Sequence, residues 1–361
     1  MISSFFAQKR YGRLALLALA FSISCSGREL PALNVDLAET SISGLSSGAF
    51  MAVQFEVAHS AIVKGVGVIA GGPYYCGQDD AIRATTRCSC SLDTPFPTCH
   101  VSSVSADVPR LESITRALAQ EGAIDPPTHL ANHRVFIFTG GKDSIVPGPI
   151  AAQLEDYYQR FSVPASNISK TVQANAAHTM PTQSYGAPCS VSETPYIGKC
   201  GFDGAHAALS WIYGSLNPPR WGTRTGRFVR FDQAHYVPAV APFAVTGMDA
   251  TAWLYVPDAC ARGERCRLHI ALHGCKQAQS YTPLHGLALH YGTRFVRHAG
   301  YVETADTNRI VVLFPQAAPS PENVFGCWDW WGYTGADYAN KNGVQIATIR
   351  AMVERLASGR R

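Results

Sequence analysis

The 361-residue sequence predicts a mostly parallel, doubly wound α/β sheet forming one large domain. Three observations predict it. Short apolar runs without polar alternation, such as Val135-Phe136-Ile137-Phe138, read as strands covered on both faces. Stretches of helical composition separate those runs. A Gly44-x-Ser46-x-Gly48 pattern lies between a predicted strand and a predicted helix, the setting in which such sheets expose a nucleophile.

Residues 39–45 are partly β-branched and form a strand entering a turn. Residues 49–59 contain no Pro or Gly and form a helix. Residues 65–70 are a buried strand closed by Gly71-Gly72-Pro73. Residues 74–106 are loop-like and rich in Cys. Helices are expected over 108–120 and 150–161, with a strong strand at 134–139 between them and a short strand at 169–173. Residues 205–213 form another helix. Beyond Thr251 come strands at 252–256, 268–272 and 310–314, with helices at 283–298 and 344–356. No internal repeat or low-complexity linker interrupts the order. The Pro/Gly/Arg-rich residues 217–226 are the best candidate joint, linking two halves of one sheet.

Hydrophobic residues make up 47% and charged residues 16%, the profile of a folded globular chain. The N-terminus has a basic stretch at residues 9–13, an apolar segment at 14–23, then Ser24-Cys25-Ser26. That is the layout of a secretory signal peptide, so residues 1–26 are expected to be removed and 27–361 to form the catalytic domain. Its apolar core is too short for a bilayer span, which needs about 20 residues. Losing Lys9, Arg10 and Arg13 takes the formal charge from +4 to +1 (4 minus 3). No other basic run stands out, so no nucleic-acid partner is expected, and no later segment is apolar enough to meet a membrane.

Cysteine usage agrees with export to the periplasm or beyond. Eleven are present, and ten remain without Cys25. An even number in an exported chain reads as disulfides. Local spacing pairs Cys189 with Cys200 and Cys260 with Cys266. Cys76, Cys88, Cys90 and Cys99 pair among themselves. Cys275 and Cys327 are left for each other. The competing reading of Cys88-Ser89-Cys90 and Cys99-His100 as zinc ligands lacks the paired C-x₂-C spacing of structural sites, so no metal is expected.

Ser46 needs a base, and the base needs an orienting carboxylate. Asp143 follows the strand at 134–139 through Gly140-Gly141-Lys142, where such sheets place a triad acid. His178 follows the strand at 169–173 in a small-residue loop, giving the order Ser, Asp, His. His59, His100 and His206 are the rivals. The flanking glycines let the Ser46 turn form, and the Ser47 amide then faces the developing oxyanion. His273-Gly274-Cys275 directly follows the strand at 268–272, as an oxyanion loop would. Its position far after the nucleophile is explained if the sheet is circularly permuted, and the Cys275 amide is then the second donor.

These runs, Gly44-Leu45-Ser46-Ser47-Gly48-Ala49, Gly140-Gly141-Lys142-Asp143, His178-Thr179-Met180-Pro181 and Leu272-His273-Gly274-Cys275, resemble the poly(3-hydroxybutyrate) depolymerases whose catalytic domain is a circularly permuted α/β-hydrolase. The resemblance covers about residue 38 onward. It implies a serine esterase acting on poly(3-hydroxybutyrate) or its oligomers, with Ser46 as nucleophile, His178 as base and Asp143 as acid. It implies Ser47 and Cys275 as the oxyanion hole. No cofactor is expected, the chain is expected to be a monomer, and, though many extracellular members add a linker and a separate polymer-binding domain, none is expected in a chain that ends at Arg361. It also implies an aromatic contact to the substrate within Cys327-Trp328-Asp329-Trp330-Trp331, Trp328 first and Trp331 second, with His273 beside it. The alternatives are a feruloyl or acetylxylan-type carbohydrate esterase, and an inactive hydrolase fold that only binds polymer.

Overall fold

The computed structural model describes residues 29–91, 99–283 and 289–359. The expected leader, residues 1–26, lies outside them. The elements in chain order are β1 (Val35–Leu45), α1 (Ser47–Ala58), β2 (Val63–Ile69), α2 (Ala81–Thr86), α3 (Val108–Gln120), β3 (Arg134–Gly140), α4 (Gly148–Arg160) and β4 (Ile168–Gln173). Then come the short β5 (Met180–Thr182), β6 (Ala187–Pro188) and β7 (Ile197–Lys199), followed by α5 (Gly204–Tyr213), β8 (Arg227–Asp232), β9 (Thr251–Val256) and α6 (Asp258–Ala261). The chain closes with β10 (Cys266–Leu272), α7 (Arg294–His298), α8 (Tyr301–Asn308), β11 (Ile310–Phe314) and α9 (Val344–Ala357).

Among the described residues, one sheet has the order β4-β3-β2-β1-β10-β11-β9-β8, and β5-β7-β6 form a small second sheet. From β4 to β11 the neighbours are parallel; β9 and β8 are antiparallel. The chain enters the sheet in the middle with β1 and moves outward through β2, β3 and β4. It returns much later to fill the other side. That is the permuted topology expected from the late His-Gly-Cys loop. The central strands are buried along nearly their whole length, as parallel strands under two helical layers must be.

Four differences from expectation have physical reasons. β8 was not anticipated, because Arg227-Phe-Val-Arg-Phe-Asp232 does not alternate strictly; at the sheet edge it buries Val229 and Phe231 and leaves Arg227 and Arg230 exposed. Of the helix expected at 283–298, the described residues form only α7, which starts after Gly292 at φ 65°; residues 284–288 lie outside the described residues. The α8 helix was missed because its residues are mostly polar. Residues 217–226 are not a loose joint. Asn217, Thr225 and Gly226 are hydrogen-bonded to Asn308 and Asp306 of α8.

The three expected pairs form, Cys189–Cys200, Cys260–Cys266 and Cys275–Cys327, and the set of four pairs within itself as Cys76–Cys88 and Cys90–Cys99. The zinc reading of Cys88, Cys90 and Cys99 falls, because their sulfurs are bonded to one another or to Cys76.

A polar seam joins β1 to β10 inside the core. Tyr213 can spend its hydroxyl proton only on the Glu39 or Leu268 carbonyl, so Ser41 must donate to Tyr213. Ser41 Oγ therefore accepts from His269 Nδ1, and Nε2 accepts from Ser43, which accepts from Tyr301. The chain of bonds has one direction and requires neutral His269. Burial agrees, lowering its pKa to about 3. His273 is also buried, donates from Nδ1 to the Gly274 carbonyl and accepts from the Ala317 amide; burial lowers its pKa to about 4.

Both groups bind a proton in the unfolded chain below about pH 6.5 but not in the native one, so stability falls as pH drops from there towards 4. Each contributes roughly 1.4 kcal/mol per pH unit over that window. Asp203, held at about 6 by burial, opposes this more weakly because protonation relieves it. We expect urea midpoints to fall steadily between pH 6.5 and 4. A flat profile would contradict the neutral-histidine core.

Candidate active site

Ser46 sits between β1 and α1 with φ 58° and ψ −123°, a strained conformation for a non-glycine residue, costing about 1–3 kcal/mol. Its neighbours hold it there. The Ser46 amide donates to the Ile69 carbonyl (3.0 Å), and its own carbonyl accepts from Ala49 and Phe50. The glycines are sterically required. A Cβ on Gly44 would lie 2.3 Å from the Gly48 carbonyl group, and one on Gly48 would lie 2.3 Å from the His273 carbonyl oxygen. That second contact packs the elbow directly against the His273-Gly274-Cys275 loop. Ser46 is half-buried within an otherwise buried run from Thr40 to Ala58, so the turn opens this one side chain to solvent.

Asp143 follows β3, and His178 lies in the loop after β4. Gly140 and Gly141 allow that loop to approach, since a Cβ on Gly140 would lie 2.2 Å from the Ala176 carbonyl oxygen. His178 Nδ1 and Asp143 Oδ2 are 2.9 Å apart. Asp143 Oδ1 accepts from the Ile145 and Val146 amides at 2.9 and 2.8 Å, and the His178 amide donates to Ser192 Oγ at 2.9 Å. Asp143 and His178 are thus paired, held in place and buried. Ser46 Oγ has no hydrogen-bond partner among the described residues. The rivals are elsewhere: His206 bonds Thr304 on α8, and His59 caps the end of α1.

Neither expected oxyanion amide, Ser47 or Cys275, has a hydrogen-bond acceptor among the described residues. Ser47 is the first residue of α1, so its amide has no intrahelical acceptor. The loop carrying Cys275 is braced three ways: by the Cys275–Cys327 disulfide, by the His273 bonds, and by Gln277. Gln277 Oε1 accepts from the Gly274 amide at 2.7 Å, while Nε2 donates to the Pro195 and Tyr196 carbonyls. Nothing in the sequence marked Gln277, because its role depends on a turn 80 residues away. Gln277→Leu is expected to lower kcat about tenfold with KM nearly unchanged, since a loosened donor loses part of its transition-state bond. Loss in KM alone would instead make Gln277 a substrate contact.

Two expected substrate contacts are buried in the free chain. His273 is fully buried and spends both ring nitrogens on backbone groups, so it braces the loop. Trp328 is fully buried as well. Its ring packs on His273 and its amide donates to Ser47 Oγ at 3.3 Å, which ties the Trp run to the elbow. Trp330 stacks on Phe50, with ring centroids 4.1 Å apart. Trp331 is the half-buried ring of the three and packs edge-on against Trp330.

Comparisons with known proteins follow the same lines. The chain is 36% identical over 367 residues to the polyhydroxybutyrate depolymerase of Talaromyces funiculosus, covering 96% of this chain and 98% of that protein. The chain belongs to this depolymerase family. It is also 42% identical over 336 residues to the poly(3-hydroxybutyrate) depolymerase of Delftia acidovorans, where it spans 91% of its own length and 62% of the relative. The crystal structure of a PHB depolymerase from Penicillium funiculosum superposes with a TM-score of 0.78 at 35% identity, over 92% of this chain and 99% of that one. A PHB depolymerase serine-to-alanine variant complexed with an R3HB trimer matches equally well. No family model matches the chain. Among the described residues, no helix is long and apolar enough to cross a membrane.

Proposed function

We propose that the chain hydrolyses poly(3-hydroxybutyrate) or its oligomers as an exported, monomeric serine esterase, with 27–361 as its catalytic domain. The observation that carries this is the fixed His178–Asp143 pair on the same sheet edge as a strained, solvent-open Ser46. His178 Nε2 takes the Ser46 proton as Oγ attacks the ester carbonyl. The Ser47 and Cys275 amides hold the oxyanion, each worth about 3 kcal/mol in comparable sites. The intermediate expels the hydroxyl end of the chain, which takes the proton from His178. Water then attacks the 3-hydroxyacyl-enzyme by the same path and releases the acid. Asp143 keeps Nδ1 protonated throughout. Five disulfides support export, and the complex of a family structure with an R3HB trimer supports the substrate class.

Purified mature chain incubated with amorphous poly(3-hydroxybutyrate) is expected to release 3-hydroxybutyrate and short oligomers. It should also be labelled at Ser46 by a fluorophosphonate. Turnover of feruloyl or acetylxylan esters in preference to 3-hydroxybutyrate oligomers would replace the polyester reading with a carbohydrate-esterase one.

A further inference from the structure

Two carboxylates outside the catalytic site each leave one buried oxygen without a partner. Asp203 caps α5: its Oδ1 accepts from the His206 amide at 2.9 Å, while its Oδ2 has no hydrogen bond. Glu303, in the first turn of α8, pairs with Arg224 through Oε1, while its Oε2 has none. Glu303 is only 7% exposed, so water does not substitute freely. The positive ends of two helix dipoles explain why acids stand here. They do not explain the two bare oxygens, because a buried carboxylate oxygen is normally bonded.

Both residues line one cavity of about 50 Å³, several times the room that a single water needs. Thr182, Tyr185, Trp221 and His298 line it as well. Trp221 is 56% exposed, which places its ring at the mouth. Tyr185 and His298 are stacked, with ring centroids 3.9 Å apart. Gly300 lets its loop pass close, since a Cβ there would lie 3.0 Å from Asp203 Oδ1. The charges do not balance. Two carboxylates share one guanidinium, that of Arg224, which pairs with Glu303. Burial, with Glu303 nearby, holds the Asp203 carboxyl at about 6, so it is ionised at neutral pH. His298 does not supply the missing charge, because burial, with Arg224 and Arg297 nearby, lowers its pKa.

We propose that this cavity binds a small primary ammonium group, held by Asp203 Oδ2 and Glu303 Oε2 with Trp221 and Tyr185 as aromatic walls. An alkylammonium carries three N–H donors, and bonds from them to two carboxylates are charge-assisted. Aromatic rings beside those carboxylates suit both the cationic head and its alkyl stem. A metal ion is less well served: among the described residues no three His, Cys, Asp or Glu side chains gather to hold one. The site also touches the catalytic framework. Thr182 belongs to β5, which starts two residues after His178, so an occupant ties the base loop to the first turns of α5 and α8.

The test is a titration of the full mature chain with methylammonium chloride, against potassium chloride at equal ionic strength. A saturable change in Trp fluorescence and a raised thermal midpoint are expected with methylammonium alone. Trp221→Phe should abolish the fluorescence change. Asp203→Asn keeps an oxygen to cap the His206 amide and turns its NH₂ towards the cavity, where a donor repels an ammonium. It is expected to weaken binding at least tenfold. Both variants should hydrolyse p-nitrophenyl butyrate within twofold of the wild type, which shows that they fold. Nα-acetyl-lysine amide separates the sources of the ammonium: binding tighter than methylammonium would name a lysine side chain as the occupant, and weaker binding a free amine. Equal responses to potassium and methylammonium, binding unchanged by Asp203→Asn, or no saturable response at all would overturn the ammonium site and leave the cavity to water.

Discussion

Ser46→Ala is expected to lower kcat/KM for p-nitrophenyl butyrate by about 10⁵- to 10⁶-fold, the scale on which removing the nucleophile of a triad acts. Binding should be nearly untouched, because the hydroxyl makes no bond in the free enzyme. Stability is expected to hold or rise slightly, since the strained turn is set by backbone bonds and by Gly44 and Gly48 rather than by Oγ. Ser47→Ala supplies the contrast. Ser47 is buried and its hydroxyl accepts from the Trp328 amide, so that change should cost some stability and a modest part of the rate. Rates that fall with Ser47→Ala and survive Ser46→Ala would exchange the two roles.

Much of this site was legible in the sequence because it rests on local rules. Gly44 and Gly48 are dictated by backbone crowding at the elbow, and the strand-end position of Asp143 follows from topology. The disulfides were legible from spacing and parity. Other features depend on contacts between distant segments and leave no local pattern. Gln277 reaches a turn at Pro195 and Tyr196, Ser192 holds the His178 backbone, and the Ser41–His269–Ser43 seam lies across two strands remote in the chain. The Trp run shows a different limit. Trp328 packs against His273 and Trp330 stacks on Phe50, while Trp331 is only half-buried. Spacing shows that the rings cluster; only burial separates the wall of a site from its support.

Asp143→Asn is expected to lower kcat about 10⁴-fold while leaving the fold and KM nearly unchanged, the loss seen for the equivalent change in the serine-protease template. The geometry gives a specific reason. Asp143 Oδ1 accepts from two backbone amides, Ile145 and Val146, and both remain in the variant. The new side chain must therefore turn its carbonyl oxygen towards them, because an NH₂ group there would leave two buried donors facing a third. That orientation points the NH₂ at His178 Nδ1, which must then accept a hydrogen bond. The imidazole is driven to the tautomer protonated on Nε2, and that nitrogen can no longer take the Ser46 proton. Fluorophosphonate labelling of Ser46 should slow by a comparable factor, since it needs the same proton transfer, whereas the thermal midpoint should move by only a few degrees. A loss under tenfold would mean that His178 is oriented by some other group, with its amide contact to Ser192 as the first to examine.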